Sequence, residues 1–143
     1  MVRYSVSPIF FAACLGVLYA WVTIIFWGFY AGNNPIDQWL INALAVNGDE
    51  MAYRAVISIH DVVVNIVIAA PFAGLLLMRS SLNNWTCVVV AGLAAVLFAN
   101  WDTNWSVSLL TGAGFWLGLA MTLLSLPIAF AGMRAMRLRF GHS

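Results

Sequence analysis

Charge is what this sequence has least of. Only 8% of its 143 residues are charged, and lysine is absent altogether. A soluble domain carries about 25% charged residues. With 64% hydrophobic residues, the chain has too little polar surface to cover itself in water, so most of it is expected to be solvated by lipid. The net charge of +1 leaves no basic patch with which to neutralise phosphates, which excludes nucleic acid as a partner.

Cysteine and histidine are equally sparse. Cys14 and Cys87 both fall inside apolar runs and make no disulfide framework; they are expected as free, packed thiols toward the cytoplasmic side. The two histidines, His60 and His142, lie far apart. A lone His60 excludes bis-histidine haem ligation, and His60 with Asp61 is not a metal site. A P-loop, an HExxH zinc motif, a GxSxG elbow and a paired-carboxylate active site are all missing. Ser58 lies near His60 and Asp61, but on one helix the three side chains diverge, so they form no nucleophile triad. No cofactor and no metal is therefore expected, and an enzyme is the least favoured class. There is no internal repeat and no low-complexity segment.

Long apolar runs are what the sequence does have. About 20 helical residues, at 1.5 Å each, cross the roughly 30 Å hydrocarbon layer of a bilayer. Residues 8–30 form a first such run, longer than the 7–15-residue core of a signal peptide. Further runs cover 55–78, 85–101 and 106–133. The third is only just long enough, and Pro127 is expected to kink the last turns of the fourth. The fold class predicted is an all-α integral membrane protein: a single domain forming a four-transmembrane-helix bundle.

Between the first two runs lies the longest polar connection, residues 31–50. Asn34 followed by Pro35 is a helix-start signal, because Asn caps and Pro has no N–H to leave unpaired. Asp37 then sits near the positive end of the helix dipole. Ile36, Leu40, Ala43 and Leu44 recur on one face. Residues 35–46 therefore read as a short amphipathic interfacial helix anchored by Trp39, with packing over the bundle mouth as the alternative. Asn47-Gly48 ends it, and Asp49 is placed to cap the next helix.

Charge sets the orientation. Arg3, Arg79, Arg134, Arg137 and Arg139 fall on one side of a four-span arrangement, and Asp37, Asp49, Glu50 and Asp102 on the other. The positive-inside rule then puts both termini in the cytoplasm; only Arg54 breaks the pattern. Trp27, Tyr30, Trp39, Tyr53, Trp101 and Trp105 form an outer aromatic belt. The tail, 134–143, reads as a basic helical extension on the anionic inner leaflet. Gly16, Ala70, Gly74, Ala95, Gly114 and Gly118 are small residues suited to close helix packing, either within the chain or against a partner.

One stretch interrupts the apolar pattern. Arg54, Ser58, Asp61 and Asn65 recur at steps of four, three and four, a single polar stripe on a helix, with His60 to one side. Asp61 lies about 25 Å from the inner end of its run, only a few ångströms inside the outer boundary. Three readings are open. In the first, the stripe is the wet end of a helix, with Asp61 paired through water to Arg54 or to Asn100, Asp102, Thr103 or Asn104. In the second, it is an outward-facing polar funnel completed by Thr23, Asn100, Ser108 and Thr111, and made pH-sensitive by an imidazole that normally titrates near pH 6.5. Or it recognises a partner's membrane segment. The second run carries no hydrogen-bonding side chain between Ile66 and Met78, so no polar path across the bilayer is expected.

In size, span count and lack of catalytic motifs the chain resembles several kinds of small bacterial inner-membrane protein: immunity proteins, exclusion proteins and accessory subunits. The likeness is one of general class and transfers no residues. The first functional expectation is a non-enzymatic inner-membrane protein, lodged in the bilayer and acting by helix–helix association with another integral membrane protein or with itself. The alternative is a small oligomeric transporter or channel with an outward-facing polar site at Asp61 and Asn65.

Overall fold

The computed structural model describes residues 7–46, 48–79, 85–101 and 113–140. Every element in them is helical: α1 (Pro8–Asn33), α2 (Pro35–Leu40, extended by a wide π-type turn over Ile41–Ala45), α3 (Glu50–Arg79), α4 (Trp85–Ala99) and α5 (Ala113–Phe140). Three helices are long and apolar enough to cross a membrane: the Pro8–Tyr30 part of α1, α3, and the Gly118–Arg139 part of α5. α4, at 15 residues, is a shorter apolar helix.

The punctuation follows the local chemistry. α1 opens with Pro8 in its first turn, where the missing N–H costs nothing. It stops before Pro35, which forces Asn34 into an extended conformation (φ −73°, ψ 104°). The Asn34 side chain then caps α2 by accepting from the Ile36 amide at 3.0 Å. Gly48 turns the chain at φ 87°, the left-handed region that side-chain-bearing residues avoid. Asp49 caps α3 by accepting from the Ala52 amide at 3.2 Å. Asp37, beyond its place at the start of α2, accepts a 2.6 Å hydrogen bond from the Tyr53 hydroxyl, which ties α2 to the first turn of α3.

Two prolines lie inside helices. α3 runs through Pro71 and α5 through Pro127. Each removes one backbone hydrogen bond without ending its helix, and α5 continues past Pro127 through the basic residues to Phe140.

The four long helices pack in the ring order α1, α4, α5, α3, with α3 and α4, neighbours in sequence, on the diagonal. The tightest pairs are parallel. α1 lies along α4, with Cys87 Sγ 3.8 Å from the Pro8 carbonyl near both amino ends. α3 lies along α5, with the Arg137 guanidinium donating to the Leu77 carbonyl at 3.1 Å near both carboxyl ends. Gly16 makes the first pairing possible: a Cβ there would run into the Ala91 carbonyl. This is the close backbone approach that holds apolar helices together where the hydrophobic effect does not. Gly74 opposes Met133 in the second pair, and Ala95 is buried.

The core sits toward the end of the bundle that carries the amino ends of α1 and α4, called here the lower end. Tyr19, Leu76, Val88, Leu126 and Phe130 are its largest buried side chains. Tyr19 meets Phe72 edge-on at 5.4 Å between centroids, and Trp85 meets Phe130 at 5.1 Å. Cys87 belongs to this core, whereas Cys14 lies exposed on the outer face of α1, so only one of the two thiols is packed.

Candidate functional site

Toward the upper end, which carries α2, the bundle opens into a cleft of about 230 Å³. α1 contributes Thr23 and Trp27, α3 contributes Asp61 and Asn65, and α5 contributes Gly118, Met121 and Thr122. The residues are about one turn apart on each helix, so each helix presents a single face to the same space.

Asn65 organises this cleft. It is 7% exposed, and its amide Oδ1 accepts a 3.1 Å hydrogen bond from the Trp27 indole. Its Nδ2 donates to the Asp61 carbonyl at 2.9 Å. The amide thus fixes the indole of α1 against α3, and both groups are satisfied at a depth where unpaired polar atoms are costly.

A second chain of polar contacts starts one residue earlier. His60 Nδ1 lies 3.1 Å from Asp61 Oδ1, and His60 Nε2 lies 3.2 Å from the Tyr30 hydroxyl. The Tyr30 and His60 rings are stacked, 5.9 Å apart and 14° from parallel. Tyr30 also stacks on Phe26, and both rings meet Trp27 edge-on. With Asp61 accepting from Nδ1–H, Nε2 of a neutral imidazole accepts from the Tyr30 hydroxyl. Tyr30, His60 and Asp61 then form one hydrogen-bonded line from α1 to the mouth of the cleft. His60 therefore lies between two partners rather than apart from Asp61.

The floor is polar as well. Thr23 donates to the Tyr19 carbonyl at 2.8 Å, Thr122 to the Gly118 carbonyl at 3.0 Å, and Ser125 to the Met121 carbonyl at 2.6 Å. One turn below Thr23, the Tyr19 hydroxyl is fully buried. It is close to the hydroxyls of Ser125 and Thr23 yet in hydrogen-bond geometry with neither, and among the described residues it has no partner. Polar groups on α1 and α5 therefore reach one turn deeper than α3, which carries no hydrogen-bonding side chain between Ile66 and Met78.

The polar stripe expected on α3 divides in two. Asp61 and Asn65 face the cleft. Arg54 turns back to Glu50, in an exposed ion pair at 2.6 Å. Ser58 donates to the Arg54 carbonyl at 2.7 Å and lines a separate, apolar groove with Ile59, Val62, Val63 and Met121. Of the expected partners from other helices, Thr23 is in the cleft. Asn100 is not; it donates to its own helix at the Val96 carbonyl, 2.8 Å. Asp102, Thr103, Asn104, Ser108 and Thr111 lie outside the described residues, as do the surroundings of Gly114. Gly118, expected as a packing residue, lines the cleft instead: a Cβ there would meet nothing within 4 Å.

Trp27 and Tyr30, the two α1 residues that complete the site, are the ones a sequence reading assigns to an aromatic belt. Their helical spacing of three from each other is a weak signal. What identifies them is the partner across the helix gap. Among the described residues, no cluster of three or more His, Cys, Asp or Glu side chains is placed to hold a metal.

No family model matches this chain, and neither a curated protein nor a solved structure is found to be similar to it.

Proposed function

We propose that this chain is a small, non-enzymatic, four-span membrane protein of the bacterial inner membrane that takes a small polar ligand into the cleft between α1, α3 and α5. Its termini are cytoplasmic, the cleft opens outward, and α2 lies at the outer interface. The orientation rests on charge: Arg79, Arg134, Arg137 and Arg139 gather at the lower end, and Asp37, Asp49 and Glu50 at the upper.

The observation that carries the ligand reading is the convergence of Asp61, Asn65, Trp27, Thr23 and Thr122 on one open space of about 230 Å³. Asp61 lies near the outer boundary, where a carboxylate costs less than at the bilayer centre, so it is its placement that supports the reading. Here it faces a cavity rather than a neighbouring helix.

The experiment is a thermal-shift screen of the purified full-length chain against small polar solutes of both charge signs and none. At least one solute should raise the melting temperature. Free ligand at 100 times its dissociation constant adds about 2.7 kcal/mol of stability. Gly118→Leu, which puts a side chain where the cleft now stands open, should abolish that shift. A screen with no responding solute would sink the reading.

A second reading, association with another integral membrane protein, is favoured by the helix faces that the chain leaves open. A Cβ at Gly28 or Gly132 would meet nothing within 4 Å, so the backbone there stands clear for a neighbouring helix. Recovery of a stoichiometric membrane partner in mild detergent, lost on Gly132→Leu, would support it.

A further inference from the structure

We infer that the cleft's ligand is a small organic cation of the alkylammonium class. The inference rests on the proposal that the cleft is a ligand site, and adds the chemistry of what fills it.

Charge gives the first reason. Of the seven residues that line the cleft, Asp61 alone carries a formal charge. Among the described residues its side-chain partner is His60, which meets only Oδ1. Arg54, the nearest arginine in sequence, is paired with Glu50 instead. The lining therefore keeps a negative charge, and the second oxygen of the Asp61 carboxylate has no side-chain partner among the described residues.

Hydrogen-bond bookkeeping gives the second. The donors around the cleft are already engaged: the Trp27 indole with Asn65, the Thr23 hydroxyl with Tyr19, and the Thr122 hydroxyl with Gly118. One Asn65 amide hydrogen bonds the Asp61 carbonyl, which leaves its second as the one uncommitted side-chain donor among the described residues that line the cleft. Acceptors remain in excess, at Asp61 and at the lone pairs of Thr23 and Thr122. An anion would find almost nothing to donate to it. A cation, or a ligand rich in N–H, would.

The third reason separates an organic cation from a bare metal ion. A hard ion needs six or more oxygen ligands at close range, and the side chains lining this cleft bring five oxygens, on Asp61, Asn65, Thr23 and Thr122. Its remaining walls are the Trp27 indole and the Met121 thioether. Indole is the strongest cation–π partner among side chains, and alkylammonium groups are the ligands that use it. The thioether is soft and polarisable against methyl and methylene groups. The volume, about 230 Å³, is roughly eight times the 30 Å³ share of a water molecule, so it suits a compact organic group and is far larger than a single ion.

The test uses the full-length chain in a maltoside detergent, because choline-headed detergents would compete. Binding is read by thermal shift and by titration calorimetry with choline, with its uncharged carbon isostere 3,3-dimethylbutan-1-ol, with 3,3-dimethylbutanoate, and with sodium and potassium chloride. Choline should bind at least about tenfold more tightly than the alcohol, and the carboxylate should not bind. Asp61→Asn keeps the shape of the side chain and should erase the preference, leaving choline and the alcohol equal. Trp27→Leu should weaken choline about tenfold, a typical loss for one cation–π partner, while Trp27→Phe keeps most of the affinity. Equal binding of the alcohol, or tighter binding of the carboxylate, each lost on Gly118→Leu, would overturn the cation assignment and leave the ligand cleft standing. A shift with sodium or potassium equal to that with choline would overturn the organic character. No response to any probe or to the wider solute screen would overturn both.

Discussion

Trp27 and Asn65 are 38 positions apart and are joined by a 3.1 Å hydrogen bond from indole to amide. The bond crosses from α1 to α3 at the point where the packed lower half of the bundle gives way to the cleft. It sets the depth of the cleft and holds the indole that walls it. Most of what distinguishes this molecule from a plain apolar bundle depends on that contact.

Removing the amide should therefore cost more than one hydrogen bond. Asn65→Leu has a similar volume but leaves the Trp27 N–H buried without an acceptor, a penalty of about 1–3 kcal/mol. Trp27→Phe removes the donor instead and leaves the Asn65 oxygen unpaired. In a double-mutant cycle the two changes should be strongly non-additive, because the second removes a penalty the first created. Unfolding in mixed micelles measures it. Additive losses would mean that the two side chains do not meet.

Two glycines on the cleft-bearing helices should respond in opposite ways. At Gly16 even a methyl group collides with the backbone of Ala91. Gly16→Ala must push α1 and α4 apart along their tightest contact, with a loss of about 1–3 kcal/mol, as for other overpacked interiors, and Gly16→Val more. At Gly118 a methyl meets nothing. Gly118→Ala should be neutral or stabilising, because alanine favours a helix over glycine by roughly 1 kcal/mol. Melting temperatures of the two alanine variants, compared in the same detergent, decide the point. Equal effects would contradict the packing described.

How much of this was legible follows from what kind of signal each feature leaves. The apolar runs, the Asn34 and Asp49 caps and the helical basic tail are local, so they could be read residue by residue. So could the polar character of Asp61 and Asn65. Arg54 was grouped with them because helix spacing counts residues on a face. Its long side chain instead reaches back one turn to Glu50, a choice that spacing does not encode. Trp27, Tyr30, Tyr19 and Ser125 were not legible as site residues. Each is a single polar-tipped group in an apolar run, and its role depends on which helix lies opposite. That depends on the parallel pairing of α1 with α4, where Gly16 meets Ala91, and of α3 with α5, where Gly74 meets Met133, and these contacts lie between segments far apart in sequence. Pro71 was also missed, although α3 carries it on an exposed face without interruption.

The Tyr19 hydroxyl offers a third test. A buried hydroxyl without a partner costs about 1–3 kcal/mol. Tyr19→Phe removes it and keeps the ring against Phe72. The variant should be as stable as the parent or more stable, against the usual trend for core substitutions. A destabilised Tyr19→Phe would mean that the hydroxyl is bonded, most simply to Ser125 or Thr23 at its side. Ser125→Ala would then be expected to match the loss.

Topology can be tested by where single cysteines react. The parent chain is a quiet background for a membrane-impermeant maleimide: Cys87 is buried, and Cys14 lies on the apolar face of α1, where a lipid-facing thiol is shielded from a polar reagent. Met51→Cys and Met136→Cys replace exposed side chains, at 84% and 54% accessibility, near opposite ends of the bundle. α4 is the helix on which the outcome turns. Its 15 residues rise about 22 Å, short of the roughly 30 Å hydrocarbon layer, so it crosses only where the bilayer thins or where residues beyond Ala99 help to span it. If all four long helices cross with cytoplasmic termini, intact cells label Met51→Cys and spare Met136→Cys until they are lysed. Labelling of both variants in intact cells would put the carboxyl end of α5 on the same side as the start of α3, as a non-crossing α4 requires, and would overturn the parallel pairing of α3 with α5. Labelling of Met136→Cys alone would invert the orientation and turn the cleft toward the cytoplasm.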